Sequence, residues 1–113
     1  MNPFEIYIVY LSWGTGGKSR PVLVIISGNS SVAVYPITTQ YSAKSKAVQA
    51  NYFELQDWNQ EGLSKKSYVD TGTLITLPPS ALANKTPIGV LTANDKQRLL
   101  AFLNKTSQHS IFI

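Results

Sequence analysis

The sequence predicts a mainly β domain, a small β-barrel of about six short strands with one helix near the C-terminal end. Runs rich in Ile, Val and Tyr are separated by Gly, Asn and Ser, which is the punctuation expected between strands. With 113 residues, of which 43% are hydrophobic, the chain can bury a single core. No internal repeat or linker divides it, so we expect one domain over residues 1–113.

Three strong apolar runs predict the first strands. They cover residues 4–11, 21–27 and 31–38. Residues 27–30 (SGNS) are typical of a hairpin turn, because Gly and Asn tolerate positive φ. Pro36 predicts a bulge or an edge within the third strand. The Gly-rich segment before Pro21 is then predicted to be a flexible loop, with Arg20 at the mouth of the second strand.

Shorter runs continue the β pattern. Further strands are predicted at residues 50–55, 66–70 and 73–77. A short helical turn is predicted at 57–62, with Asp57 as its N-cap and Gly62 at its end. Trp58 is expected to be buried as the anchor of this turn. A second helical turn is predicted at 79–83, where a proline stands at the start.

The one long helix is predicted at residues 93–105. Thr92, followed three residues later by Asp95, resembles a capping box with Asp in place of Glu, and leucines with a phenylalanine supply an apolar face. We expect this helix to close the domain by packing on the barrel. The only histidine, His109, follows in the tail, where a surface or interface position is expected.

The composition excludes several kinds of site. Without cysteine there is no disulfide, thiolate nucleophile or cysteine zinc site, and a single histidine excludes a Ser-His-Asp triad elsewhere. Residues 14–19 (GTGGKS) end like a phosphate loop but lead into a strand rather than a helix. We therefore predict no metal and no cofactor. The N-terminus lacks a secretory signal and is too short in apolar length to span a bilayer, so we expect a cytoplasmic protein without membrane contact.

A net charge of +4 favours a polyanionic partner or aids solubility. Five lysines fall in or beside predicted loops, where ligands are commonly met: Lys18, Lys44, Lys46, Lys65 and Lys66. Tyrosines and tryptophans recur near these loops, and single-stranded bases stack on such rings. Trp13, beside the Gly-rich segment, is the tryptophan that we expect to be exposed.

Arg20 and residues 38–40 (TTQ) are candidates for a phosphate clamp. A guanidinium is an always-charged fork that suits two oxygens of a phosphate, and threonine hydroxyls can add donors to the same group. The alternative is that Arg20 is a solvated residue at a strand end and that Thr38 and Thr39 are ordinary strand formers.

Three segments occur in order before the predicted C-terminal helix: residues 17–25 (GKSRPVLVI), 37–40 (ITTQ) and 57–69 (DWNQEGLSKKSYV). In this order and spacing they resemble the MazF/PemK-like toxins of bacterial type II toxin–antitoxin systems, over nearly the whole chain. The resemblance implies an SH3-like barrel of the MazF/CcdB type and a homodimer. It also implies a ribosome-independent, metal-free endoribonuclease that cuts single-stranded RNA at short sequences until an antitoxin silences it.

By this likeness, Arg20 and Thr38 match the family's arginine and threonine. Arg20 is expected to hold and neutralise the scissile phosphate, and Thr38 to position it. Cleavage would proceed by attack of the 2′-hydroxyl on the adjacent phosphorus. The candidate RNA-binding residues are Trp13, Lys18, Ser19, Thr39, Gln40, Lys44 and Lys46.

The chain departs from the family pattern after Val69. Some members carry an arginine there and an aspartate two residues on, whereas this sequence continues with Asp70, Thr71 and Gly72. Asp70 is therefore either a displaced catalytic base or a turn residue before Gly72, and turn chemistry favours the second. The identities of the general acid and base stay open.

Two other functions fit the same fold. A non-catalytic toxin that binds a protein target such as gyrase would depend on residues of the C-terminal helix rather than on Arg20 and Thr38. An inactive, purely RNA-binding member would hold RNA through the loop at residues 41–48 and leave it intact.

Overall fold

The computed structural model describes residues 1–111, apart from the side chains of Trp13 and of residues 106–111. Its strands are β1 (Glu5–Trp13), β2 (Gly16–Ser27), β3 (Val32–Thr38), β4 (Tyr52–Glu54), β5 (Tyr68–Asp70), β6 (Ile75–Leu77) and β7 (Gly89–Val90). Its helices are α1 (Lys46–Gln49), a 3₁₀ turn (Pro79–Ala81) and α2 (Ala93–Ile111).

The strands form one curled antiparallel sheet, a half-barrel, in the order β4-β5-β3-β2-β1-β7, and β6 pairs with β3 off this path. Helix α2 follows the sheet at the C-terminal end of the chain. β3 pairs with β2 along one side. Along its other side it pairs first with β6 and then, at Ile37 and Thr38, with β5. This architecture confirms the predicted mainly β, barrel-like fold with a C-terminal helix.

Apolar side chains cover both faces of the sheet, because successive residues of a strand point to opposite sides. The α2 side of the core contains Ile6, Leu23, Ile37, Phe53, Leu55, Leu63, Val69, Leu91 and Leu99. A second cluster contains Tyr7, Val9, Val22, Val24, Val32, Val34 and Leu82. Trp58, predicted to be buried, is partly buried and packs against the first cluster.

The predicted flexible loop before the second strand is wrong. β2 begins at Gly16, and its first residues pair with β1 up to the partners Trp13 and Gly16. The turn lies at Gly14, whose φ of 47° is in the left-handed region. Arg20 therefore lies within a ladder, opposite Val9, and not at a strand end. A strong neighbouring strand imposes extended structure here on residues of low strand propensity.

Several other elements differ from the predictions. β7 and α1 were not predicted, and Pro36 lies in an interior strand, at the gap where the outer partner of β3 changes from β6 to β5. The register shift between β2 and β3 falls instead between Val24 and Ile26. Helix α2 extends to Ile111, so position 109 lies within the helix and not in a tail beyond it; the His109 side chain lies outside the described residues.

The predicted turn at residues 57–62 is present, with a 3.1 Å hydrogen bond from Glu61 N–H to the Asp57 carbonyl oxygen. It ends at Gly62, whose φ is 89°. The carboxylate of Asp57 does not cap this turn, because it accepts hydrogen bonds from Thr92 and Asn94 at the start of α2. The turn is therefore tied to the long helix.

Replacing Gly89 by alanine is expected to lower the free energy of unfolding by about 2 kcal/mol, because an added Cβ would overlap the carbonyl group of Glu61. The 57–62 turn would have to move away from β7. Chemical denaturation measures the change. Gly14→Ala is the control, since no heavy atom lies within 4 Å of a Cβ there and only the positive φ is strained. Equal destabilisation by the two substitutions would contradict the close approach.

Candidate active-site cleft

Seven polar and three apolar side chains line a cleft of about 530 Å³ beside the end of β3. The polar residues are Ser12, Arg20, Thr38, Gln40, Lys44, Tyr52 and Asp70. The apolar residues are Leu11, Pro36 and Ile75. Charged groups of both signs, hydroxyl groups and an amide therefore face one volume, which is the composition expected of a site for a polar ligand.

The register of β2 and β3 places Arg20 and Thr38 side by side. Val22 pairs with Pro36, and the register shift between these strands lies on the far side of this pair, between Val24 and Ile26. Two residues further along, the same offset brings Arg20 opposite Thr38, with both side chains on one face. The Thr38 hydroxyl accepts a 3.0 Å hydrogen bond from Gln40 N–H, so its own proton can be donated to a ligand.

β4 and β5 bring two further polar side chains to the cleft. Tyr52 pairs with Asp70 across these strands, and Tyr68, two residues earlier in β5, pairs with Thr38. Burial raises the pKa of the Tyr52 phenol; the negative charge of Asp70 also raises it, and the positive charge of Arg20 opposes the rise. The Tyr52 hydroxyl therefore lies within electrostatic reach of both charges.

The Asp70 carboxylate forms hydrogen bonds within a turn and also lines the cleft. Its Oδ1 accepts a 3.0 Å hydrogen bond from Gly72 N–H, and its Oδ2 accepts a 2.8 Å bond from the Thr73 hydroxyl. These are the bonds that a turn residue makes. An ionised carboxylate has about four lone-pair sites, so the turn leaves acceptor capacity toward the cleft, which Asp70 also lines.

A second, smaller cleft of about 160 Å³ adjoins the first. Arg20, Thr38 and Gln40 line both. Three more residues predicted to bind RNA line the smaller one: Lys18, Ser19 and Thr39. The structure therefore brings eight of the ten predicted site residues, namely Arg20, Thr38, Asp70, Lys18, Ser19, Thr39, Gln40 and Lys44, into two adjoining clefts.

The remaining two predicted residues are placed differently. Lys46 opens α1, is exposed, and lines neither cleft. The backbone of Trp13 ends β1, but its side chain lies outside the described residues, so its expected exposure and RNA contact stay predictions. The lysine-bearing segment after β3 contains a helical turn that the sequence did not predict, with the Ser45 hydroxyl accepting a 3.3 Å bond from Val48 N–H.

Tyr52 was not predicted to be a site residue, although tyrosines recur near the basic loops. In the structure, three tyrosine rings form a cluster at the cleft. Tyr41 and Tyr68 stack with ring centroids 4.5 Å apart, and Tyr52 lies 6.3 Å and 6.4 Å from them. The signal available in the sequence was the position of Tyr52 within the strand predicted at residues 50–55, but its neighbours depend on strand pairing.

Away from the cleft, three carboxylates gather at the start of α2. Oxygen atoms of Asp57, Glu61 and Asp95 lie within 4.8 Å of one another, a spacing that metal ligands also have. Asp95 accepts hydrogen bonds from the backbone N–H groups of Gln56 and Asp57 and forms a 2.6 Å ion pair with Arg98. None of the three carboxylates is among the described residues that line the cleft.

The predicted capping box is half present. The Thr92 hydroxyl accepts a 3.2 Å bond from Asp95 N–H, as an N-cap does, but the reciprocal position is taken by Glu61, whose Oε2 accepts a 3.0 Å bond from Thr92 N–H. Burial, together with the Asp95 and Asp57 carboxylates, raises the pKa of Glu61 to about 7, although the hydrogen bond from Thr92 N–H opposes the rise. Among the described side chains, Glu61 Oε1 is buried without a hydrogen-bond partner, and a proton shared with Asp95 would satisfy it.

Comparison with known proteins shows which fold and family this chain resembles. The solved structure of the Mycobacterium tuberculosis toxin MazF-mt6 is similar, with a TM-score of 0.66 and 25% sequence identity, covering 89% of this chain and 93% of that one. No curated protein matches the chain significantly. The helices in the described part of the chain include none with the length and apolarity needed to cross a membrane.

The matching family model is described as PemK-like, MazF-like toxin of type II toxin-antitoxin system, and it covers residues 2–106. The chain therefore belongs to the PemK-like and MazF-like toxins. Toxins of this family commonly cleave RNA, and their type II systems pair the toxin with an antitoxin partner.

Proposed function

We propose that this protein is an endoribonuclease that cuts single-stranded RNA at short, specific sequences without a metal ion. The observation that carries the proposal is the juxtaposition of Arg20, Thr38 and Asp70 in one cleft. A fixed cation, a hydroxyl donor and a carboxylate acceptor are the groups that phosphodiester cleavage by a neighbouring hydroxyl requires.

The proposed chemistry begins with the 2′-hydroxyl next to the scissile bond. Its oxygen attacks the phosphorus while Asp70, the one carboxylate among the described residues that line the cleft, accepts the hydroxyl proton. Arg20 stabilises the extra negative charge on the phosphate oxygens, and the Thr38 hydroxyl donates to one of them. The bond from phosphorus to the 5′-oxygen breaks, which gives a 2′,3′-cyclic phosphate and a 5′-hydroxyl.

The flanking RNA would follow the basic and polar residues around this centre. Lys44 lines the main cleft, and Lys18, Ser19 and Thr39 line the smaller one, so a strand crossing both clefts passes two cations and several hydrogen-bond donors. Lys46 would add long-range attraction from α1. Gln40, which faces both clefts, is placed to contact a base or a phosphate.

The same proposal includes the partners and location that the family implies. We propose a cytoplasmic homodimer that a cognate antitoxin neutralises through an acidic, partly disordered tail. Such a tail would occupy the basic clefts and become ordered on binding. A tail peptide that binds the toxin but leaves RNA cleavage unaffected would contradict occlusion of the cleft.

Asp70→Asn is expected to lower the rate of RNA cleavage by about 10²-fold, because the amide cannot accept the 2′-hydroxyl proton. The amide oxygen still accepts from Gly72 N–H, so the turn and the free energy of unfolding should change little. Single-turnover cleavage and chemical denaturation measure the two quantities separately. Full activity in this variant would show that Asp70 is a turn residue only.

The experiment for the proposed function is incubation of the purified protein with several long single-stranded transcripts in excess chelator, followed by mapping of the cut positions. Reproducible cuts at one short sequence are the expected result. Intact RNA across all transcripts would overturn the proposal. Intact RNA together with inhibition of DNA supercoiling by gyrase would favour the non-catalytic toxin, and retention of intact RNA in a gel-shift assay would favour an inactive RNA-binding member.

A further inference from the structure

The proposed reaction needs a group that protonates the leaving 5′-oxygen, since an alkoxide is a poor leaving group. No histidine is among the described residues that line the cleft. Aliphatic hydroxyl groups, such as that of Ser12, and the guanidinium of Arg20 do not release protons at neutral pH, and the Gln40 amide is not an acid. The remaining proton donors in the cleft are Tyr52 and Lys44.

Tyr52 is the better placed of these two donors. It is half-buried at the start of β4, pairs across the sheet with Asp70, and lies against the rings of Tyr41 and Tyr68, so its ring is held in position. Lys44 is exposed, lies between β3 and α1 outside regular structure, and carries its amine on a flexible stem. A proton must be delivered to one atom at one moment, and this favours the rigid donor.

We propose that the Tyr52 phenol is the general acid that donates its proton to the 5′-oxygen of the leaving nucleotide. The inference rests on the proposed function. As the 2′-oxygen bonds to phosphorus and gives its proton to Asp70, the bond from phosphorus to the 5′-oxygen breaks and that oxygen takes the phenolic proton. The phenolate that remains is stabilised by the nearby charge of Arg20.

The placement of Tyr52 opposite Asp70 also closes the catalytic cycle. After cleavage, Asp70 holds the proton from the 2′-hydroxyl and Tyr52 lacks its own. A carboxylic acid is a far stronger acid than a phenol, so transfer of the proton from Asp70 to the phenolate is favourable. Both residues then return to their starting states without an outside acid or base.

The test compares two RNA substrates that span a mapped cut and differ in one atom. The first has the natural 5′-oxygen at the scissile bond, and the second has sulfur there, which departs as a thiolate without needing a proton. Tyr52→Phe is expected to cleave the oxygen substrate about 10²-fold more slowly than the unsubstituted protein does. On the sulfur substrate, the rates of the two proteins should agree within about threefold. Arg20→Ala should cleave both substrates slowly, because the lost guanidinium stabilises negative charge on the phosphate oxygens in either reaction.

Tyr35→Phe is the matched control. It removes the same hydroxyl group from a tyrosine in β3 that packs on the α2 side of the sheet, so cleavage of both substrates should stay unchanged. Unfolding curves for both phenylalanine variants establish that the fold is kept.

Three results would overturn the inference. Full activity of Tyr52→Phe on the oxygen substrate would remove its role, and equal losses on both substrates would make Tyr52 a residue that positions the phosphate. If the sulfur substrate restored cleavage by Lys44→Gln but not by Tyr52→Phe, the proton donor would be the lysine. Failure of the unsubstituted protein to cut either substrate would instead remove the proposed function itself, and the inference with it.

Discussion

Replacing Arg20 by alanine is expected to lower kcat/KM for RNA cleavage by about 10³-fold, because the transition state loses the cation that neutralises its additional charge. Arg20 lines both clefts from within a paired strand, so its backbone is fixed and its side chain faces the clefts before the RNA arrives. The fold should persist, since the side chain is half-buried and belongs to neither apolar cluster. Single-turnover cleavage of a short fluorescent RNA, with thermal unfolding alongside, measures both effects.

Two further variants define what Arg20 contributes. Arg20→Lys keeps the charge but loses the planar fork, so activity between that of the unsubstituted protein and that of Arg20→Ala is expected. Lys85→Ala removes an equal charge from an exposed position outside the cleft, and cleavage should stay within about threefold. Unchanged activity in Arg20→Ala, or an equal loss in Lys85→Ala, would contradict a specific phosphate contact.

Replacing Glu61 by glutamine is expected to raise the free energy of unfolding at pH 8 by about 2–3 kcal/mol. Glu61 is fully buried between the Asp57 and Asp95 carboxylates, and burial with these charges raises its pKa from 4.5 to about 7. Glutamine keeps the oxygen that accepts from Thr92 N–H and adds an amide donor toward Asp95. The buried charge, and with it the need for a shared proton, is removed.

The same pKa predicts how stability depends on pH. Between its unfolded pKa of 4.5 and its folded pKa of about 7, Glu61 holds a proton in the folded state that the unfolded state has released. The stability associated with that proton is therefore complete below pH 4.5 and is lost as the pH rises through about 7. The pKa of Asp95 is lowered, because its hydrogen bonds outweigh its burial, so its contribution is lost only at more acidic pH.

Chemical denaturation at pH 5 and pH 8 measures the effect of Glu61. The unsubstituted protein should be more stable at pH 5, and Glu61→Gln should remove most of that difference. Glu54→Gln is the control: its carboxylate is exposed and pairs with Lys66 at 3.6 Å, so a change of no more than about 1 kcal/mol is expected. A Glu61→Gln variant that is less stable than the unsubstituted protein at pH 8 would contradict a buried carboxyl group with a raised pKa.

The sequence was sufficient to predict the apolar strands and the long helix, because runs of apolar residues and helix-capping motifs are local patterns. It was insufficient for Arg20, whose Gly-rich surroundings favour a loop in isolation and become a strand only through pairing with β1. β7 could not be predicted because a strand of two residues exists only through its pairing with β1, where Gly89 also lies close to the backbone of Glu61. Local propensity does not contain such long-range constraints.

Most residues that the sequence marked as site candidates line the two clefts, and their roles stay predictions. The sequence was insufficient where strand pairing decides which side chains are neighbours. The sequence places Thr38 and Asp70 far apart, and only the shared pairing of β3 and β5 brings them to one cleft. Tyr52 enters the site through its pairing with Asp70. The carboxylates that anchor α2 are likewise distant in sequence, and only half of their arrangement, the Thr92 cap of Asp95, is a local motif.

The most direct test of the account uses one short RNA that spans a mapped cut and a second RNA with a 2′-deoxy nucleotide on the 5′ side of the scissile bond. Mass spectrometry of the products identifies their ends. Attack by the 2′-hydroxyl in the cleft predicts a 2′,3′-cyclic phosphate and a 5′-hydroxyl from the first RNA, and no cut in the second. Cleavage of the 2′-deoxy RNA, or products with a 3′-hydroxyl and a 5′-phosphate, would contradict it.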